Sequence, residues 1–190
     1  MCNNLDYEEE QREELIGGEI VAMAPRPTTN HNRVAGNIYG IFWNHLRGKK
    51  CVPFGDGTDL YLTDQDRFVP DGMIVCNRDK IKSRGVYGAP DLVVEVLSPS
   101  TAKNDKGYKK DVYESCGVKE YWIADPAGKS IEVYRLTDGR YVLDNVYFYH
   151  SDSEIAEMNE EEKSLLVREF PCSLFAGLSI RLDDIFGDLL

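Results

Sequence analysis

Apolar positions along the chain change period several times, and each change marks an element. Leu92, Val93, Val94, Val96 and Leu97 form a near-continuous apolar run, the pattern of a strand buried on both faces. One carboxylate, Glu95, interrupts it. Ser98-Pro99-Ser100-Thr101 ends the strand, because proline cannot donate to a central ladder. A helix follows, capped by Thr101 or Asn104 and ended by Gly117. Val118–Ala124 then reads as a second strand. The chain is organised around this strand, helix and strand, with one charge where apolar residues belong.

Upstream, residues 5–14 read as a short acidic helix or an ordered lead-in. Strand-like runs at Glu14–Ile16 and Glu19–Met23 flank Gly17-Gly18 and predict a hairpin or tight bend. Val34, Ile38, Ile41, Phe42 and His45 recur at helical spacing, which predicts a helix from about Thr28 to Leu46. His31 lies one turn before Val34 on the same side, as a cap, a packing residue or a group pointing into a site. Cys51–Phe54 and Thr58–Leu62 predict a meander. In the strand Arg67–Val75, Pro70 and Gly72 put Asp71 at an irregularity, where a side chain can be aimed at a ligand or simply serve a turn. Asn77–Gly88 reads as an exposed loop or short helix. Downstream, Ser130–Leu136 and Tyr141–Val146 predict an antiparallel hairpin, and Asp152–Lys163 an acidic surface insertion. The tail packs on the core or on a second subunit. The expectation is one α/β (α+β) domain over residues 1–190.

Charge and cysteine content narrow the function classes. The chain carries 33 acidic and 22 basic residues, a net charge of −11, which argues against unassisted, non-specific binding of nucleic acid. The distribution is uneven. Acid collects at Asp6–Glu19 and Asp152–Glu162, and base at Arg47–Lys50, Arg78–Arg84 and Lys103–Lys110. A local basic face on an acidic protein can hold a polyanion, although a solvated helix face is the plainer reading. Five cysteines without zinc spacing read as reduced, buried thiols, with Cys2 an exposed exception. With no apolar signal core at the start and no run of membrane-span length, the expected setting is cytoplasmic, away from any membrane.

The charge in the central strand needs a reason. An ionised carboxylate in an apolar sheet costs several kcal/mol unless it is paired or metal-bound. Glu95 either meets a cation, reaches solvent at a strand end, or joins Asp71 around a hard divalent cation such as Mg²⁺. Asp105 and Lys109, at i and i+4, form a surface ion pair or present an ammonium to the end of the strand; Tyr113 continues the same face.

These residues together resemble a known family. Pro70-Asp71, Glu95-Val96-Leu97-Ser98-Pro99-Ser100-Thr101, Asp105 with Lys109, Tyr113, and Gly117-Val118-x-Glu120-Tyr121-Trp122 resemble the Uma-two family of the PD-(D/E)xK, restriction-endonuclease-like nucleases. The likeness extends to Glu14–Val21, His31 and Leu178-Ser179-Ile180 and covers most of the chain. It implies a mixed β-sheet flanked by helices, with N-terminal and C-terminal β-hairpins. It implies Asp71, Glu95 and the Val96 carbonyl as ligands of Mg²⁺ or Mn²⁺, and Lys109 as the catalytic lysine. That lysine has moved from the strand, where Leu97 stands, to the helix. Glu19 approaches the site from the N-terminal strand with His31 nearby, and Lys103, Lys106 and Lys110 face the nucleic acid. The implied activity is metal-dependent DNA endonuclease, with a homodimer by family likeness alone. The alternatives are a non-catalytic dimerising or nucleic-acid-binding module and a hydrolase of small phosphate esters.

Overall fold

The computed structural model describes residues 12–23 and 26–190. The lead-in expected before Arg12, and Cys2, lie outside the described residues. Strands β1 (Glu13–Ile16) and β2 (Glu19–Ala22) pair antiparallel through Gly17-Gly18, as the hairpin pattern predicts. Helix α1 (Thr29–Leu46) starts at Thr28, whose side chain accepts from the His31 N–H, so Thr28 rather than His31 is the cap. Its buried face is His31, Val34, Ile38, Phe42 and Leu46.

The middle of the chain departs from expectation. Strands β3 (Val52–Gly55) and β4 (Leu60–Thr63) belong to different sheets, so they form no meander. The expected Arg67–Val75 strand is two strands, β5 (Asp66–Phe68) and β6 (Gly72–Val75), also in different sheets. Val69-Pro70-Asp71 is the crossing between them, which is why the pattern looks irregular there. The basic stretch expected as a loop holds a short 3₁₀ turn (Arg78–Lys80) and strands β7 (Ile81–Lys82) and β8 (Gly85–Tyr87). Gly85 belongs in that pair. Its φ is +146°, and an added Cβ would stand 2.4 Å from the Asp59 carbonyl oxygen.

The organising unit appears as strand β9 (Leu92–Val96), helices α2 (Ala102–Lys106) and α3 (Tyr108–Cys116), and strand β10 (Glu120–Asp125) parallel to β9. The single expected helix is broken at Gly107, where a Cβ would meet the Lys103 carbonyl oxygen at 2.9 Å. The hairpin β11 (Ser130–Thr137) and β12 (Arg140–Phe148) follows. The acidic insertion folds as α4 (Asp152–Glu157) and α5 (Glu160–Ser164), and the tail as β13 (Glu169–Pro171), β14 (Ser179–Arg181) and α6 (Leu182–Phe186).

The strands make two six-stranded sheets, β2-β1-β5-β4-β8-β7 and β12-β11-β10-β9-β6-β3, and the small β13-β14 pair. The second sheet is buried on both faces in its middle. Leu92, Val94, Val96, Trp122 and Ala124 pack toward α1 and α6. Val93, Met73, Val75, Tyr121 and Ile123 pack toward α3 and the first sheet. This double burial explains the continuous apolar run of β9.

A disulfide joins Cys51 and Cys76, corrects the expectation of reduced thiols for that pair, and removes their support for a cytoplasmic setting. The two cysteines lie one step beyond the Val52–Val75 pair of β3 and β6, so pairing register brings them together. Cys116 and Cys172 are free. Among the described residues no helix is long and apolar enough to cross a membrane.

Two glycines test the packing in opposite directions. Gly85→Ala should lower unfolding free energy by roughly 2–4 kcal/mol in urea titration, through strain and the clash with Asp59. Gly36→Ala, exposed in α1 with open space around it, should raise it by about 0.5–1 kcal/mol.

Candidate active site

Of the buried polar residues, Glu14, His31, Glu95, Asp105 and Lys109 gather toward the C-terminal end of β9, while Asp66 holds the β1–β2 turn and Glu120, opposite Leu92 at the other end, meets Ser173 and Arg135. Glu95 shares its face of the strand with Val93, so its carboxylate enters the apolar layer beneath α3. It is 3% exposed. The Tyr113 hydroxyl donates to Glu95 Oε1 at 2.8 Å, and the Lys109 ammonium stands 3.4 Å from the same oxygen.

Lys109 is the hub. Its Nζ lies 2.9 Å from Glu14 Oε1, 3.4 Å from Glu95 Oε1 and 3.6 Å from Asp105 Oδ1. Its side chain is 5% exposed. The break at Gly107 separates Asp105 from Lys109 into two helices, yet keeps the i, i+4 contact. The plain surface ion pair is thereby excluded, because both partners are buried.

Glu14 comes from the hairpin and replaces Glu19 in this position. Glu14 and Ile16 share the inward face of β1, and Ile16 packs on the apolar layer under α3. The turn is fixed by Asp66, which accepts from Gly17 N–H at 3.0 Å and from the Tyr108 hydroxyl at 3.1 Å. Glu14 Oε1 also accepts from Val69 N–H at 2.8 Å, so it braces the crossing that carries Asp71. Glu19 lies beyond the turn, paired with Ile16 and exposed, and is not brought to the cluster. The family resemblance assigns Glu19 to the site and passes over Glu14; the signal available in the sequence for Glu14 is its period-2 alternation with Ile16.

Asp71 sits immediately before β6. Because β6 and β9 are antiparallel neighbours with Gly72 opposite Val94, Asp71 comes beside the end of β9. Its Oδ2 accepts from the Val96 N–H at 2.7 Å and lies 3.4 Å from His31 Nε2. Asp71, Glu95, Val96, Lys109 and His31 are thus brought together. Of the helix lysines, Lys103 is exposed, Lys106 pairs with Glu132 at 2.6 Å, and Lys110 lies 3.7 Å over the Tyr134 ring.

Charge is unbalanced here: Glu14, Glu95 and Asp105 surround one ammonium, and Asp71 lies beside the same strand end against His31. Burial pushes the Glu95 carboxyl well above the usual carboxylate range; Lys109 opposes this, and Asp105, Asp71 and Glu14 add to it. Burial raises Asp105 against the same Lys109 attraction. Burial disfavours the Lys109 cation, but Glu95, Glu14 and Asp105 outweigh it and hold the ammonium protonated. For His31, burial lowers the pKa and Asp71 and Val96 more than restore it, leaving a net rise.

The donor set fits a hard divalent cation. Asp105 Oδ1 and His31 Nδ1 are buried with no hydrogen-bond partner, and the surplus of carboxylates calls for positive charge. Among the described residues no three His, Cys, Asp or Glu side chains form a cage. The residues that could hold Mg²⁺ are Asp71 and Glu95, with a backbone carbonyl and water to complete the shell.

Residues 2–169 match the profile of the Uma2 family, described as "Putative restriction endonuclease". The chain belongs to the Uma2 family. It is similar to two Synechocystis proteins, "Uncharacterized protein slr1290" and "Uncharacterized protein sll1609". The first is 31% identical over 70% of this chain and 72% of the relative, the second 27% over 78% and 86%. The crystal structure of a "putative nuclease belonging to DUF820" from Anabaena variabilis superposes with a TM-score of 0.70, over 97% of this chain and 94% of that one, at 20% identity. That likeness establishes a shared fold. In this chain a lysine stands on the helix that follows the strand of Glu95 and reaches the end of that strand from outside the sheet.

Replacing that lysine tests the charge balance. Lys109→Met leaves Glu14, Glu95 and Asp105 buried without their cation and should cost about 3–5 kcal/mol at pH 7. The pH dependence has a definite sign. Carboxyls with raised folded pKa values favour folding below their unfolded pKa of about 4, and that contribution is lost as pH rises through the folded pKa. Lys109, raised, contributes throughout the range below its own unfolded pKa. The cost of Lys109→Met should therefore shrink as pH falls from 7 toward 5 in denaturant titrations. A cost independent of pH would show that the three carboxyls are not what Lys109 neutralises.

Proposed function

We propose that this Uma2 chain is an endonuclease that hydrolyses DNA phosphodiester bonds with Mg²⁺ or Mn²⁺ as cofactor. The observation that carries the reading is a buried ammonium, Lys109, 3.4 Å from Glu95 on the strand beside Asp71. Asp71 and Glu95, with the Val96 carbonyl, would hold the cation. When bound, it polarises the scissile phosphate and lowers the pKa of a water. Lys109 offsets the negative charge that grows on the phosphate during attack, and its surroundings keep it protonated for that task. Glu14 and Asp105 act through Lys109 as positioning residues. His31 orients Asp71, and the Tyr113 hydroxyl fixes Glu95.

One observation favours a second reading. Lys109 and Glu95 are closed from solvent, with side chains 5% and 4% exposed. A nucleic-acid-binding or dimerising module that keeps the nuclease-like cluster as internal structure would look the same. A homodimer rests on family likeness in either case.

Supercoiled plasmid separates the two. With Mg²⁺ or Mn²⁺ the protein should nick and linearise it, and a chelator should stop the reaction. Asp71→Asn, at a partly exposed position, should slow cleavage about 100-fold or more while the protein stays folded. Intact plasmid with either metal at micromolar protein would leave the non-catalytic module.

A further inference from the structure

We infer that this chain grips the nucleic-acid backbone on a basic platform outside the active site, built from the turn after α1 and the segment from Arg78 to Arg84. The inference rests on the nuclease reading for its partner class. Its evidence is independent of the catalytic cluster.

Two basic clusters far apart in sequence meet here. Arg47, Lys49 and Lys50 follow α1, and Arg78, Lys80, Lys82 and Arg84 follow β6. The Cys51–Cys76 disulfide pins the two segments together. Arg78 completes the junction: its Nε donates to the Lys50 carbonyl at 2.9 Å and its Nη2 to the Lys49 carbonyl at 3.2 Å. Both segments together carry one carboxylate, Asp79, against seven cations. All of these cations except Lys80 are exposed.

What sets the platform apart is the number of cations it gathers without a carboxylate partner. Among the described residues, none of the seven lies within 4 Å of a carboxylate oxygen. Elsewhere Lys106, Lys119, Arg135 and Arg140 each hold a carboxylate at 2.6–3.0 Å. On a protein of net charge −11, a cluster of cations left without acids is a deliberate concentration of positive potential. Lys49 even stands 2.9 Å from His45, whose pKa is lowered by burial and by that lysine.

Aromatic residues flank the cations. Trp43 is 46% exposed one turn before Arg47, and Tyr87 is 43% exposed beyond Arg84 and stacked on Tyr61 at 4.3 Å. Cations interleaved with exposed rings suit phosphates and unstacked bases, rather than a lipid surface or an acidic peptide. The platform is also rigidly tied to the site. Helix α1 carries His31 near one end and Arg47 past the other, roughly 24 Å away at 1.5 Å per residue. Strand β6 leads from Asp71 to Cys76 in about 17 Å, five base-pair rises of a duplex.

The test is fluorescence anisotropy on the whole chain, in chelator to prevent cleavage and without reductant, with labelled duplex and single-stranded oligonucleotides over a salt series. Lys50→Glu, Lys82→Glu and Arg84→Glu together should weaken binding more than tenfold at about 100 mM salt and reduce the salt slope by about 3. Arg168→Glu, an exposed cation elsewhere, serves as the control and should leave binding unchanged. Should the triple variant melt early, Lys82→Ala with Arg84→Ala gives the same comparison with smaller effect. Equal affinity of variant and wild type, no binding by wild type at 50 mM salt, or platform-dependent binding of phosphatidylserine vesicles alone would each overturn the inference. Plasmid cleavage is scored separately. Binding that depends on the platform without any cleavage sustains the platform and removes the nuclease reading.

Discussion

The buried Lys109 ammonium is the interaction on which the rest of the structure depends. It draws carboxylates from three separate parts of the chain: Glu14 from the N-terminal hairpin, Glu95 from the central sheet and Asp105 from the preceding helix. None of these groups is tolerable alone in an apolar layer, because an unpaired buried charge costs several kcal/mol. Each is held only if the others are in place. The cluster therefore fixes how the first sheet docks on the second, a relation that apolar packing alone leaves loosely specified.

Other contacts serve this arrangement. Asp66 ties the Gly17-Gly18 turn to Tyr108, so the strand carrying Glu14 and the helix carrying Lys109 are anchored at one point. Gly107 lets α3 start in a new direction, which swings Lys109 over the end of β9. Glu14 then bonds Val69 and sets the crossing that delivers Asp71. One carboxylate thus links the ammonium to the first acidic residue. The cluster remains short of positive charge even so, with three carboxylates on one ammonium.

Much of this was legible along the chain because it is local. The apolar run of β9, the helical spacing of α1, and the glycine turns of both hairpins follow from neighbours a few residues apart. The interruption by Glu95 and the irregularity at Asp71, places where local rules fail, both fall at the buried cluster. The missed features are long-range. Nothing near Thr58 says that β4 leaves the sheet of β3, since both strands have the same alternation. Glu14 and Glu19 both border the turn, and only the inward face shared with Ile16 distinguishes them. The cysteines at 51 and 76 have unremarkable spacing; the register of β3 against β6 makes them partners. Lys106 and Lys110 looked free because Glu132 and Tyr134, which engage them, stand on a strand more than twenty residues later.

The electrostatics of the whole chain follow from where its charges are left unpaired. A uniformly acidic surface would repel phosphate from every direction. Here the acid in α4 and α5 lies on exposed helix faces, while seven cations without a carboxylate partner are gathered on the two disulfide-pinned segments. A polyanion approaching such a molecule is turned as well as attracted, since repulsion removes the wrong orientations and the platform retains the right one. The buried cluster cannot do this work itself, because its ammonium is buried and already surrounded by carboxylates. On the proposed reading, orientation comes from a surface that is open and basic, and chemistry from a cluster that is closed and acidic. Helix α1 and strand β6 each have one end at both, so the two opposite electrostatic tasks are kept at a fixed separation by the secondary structure itself.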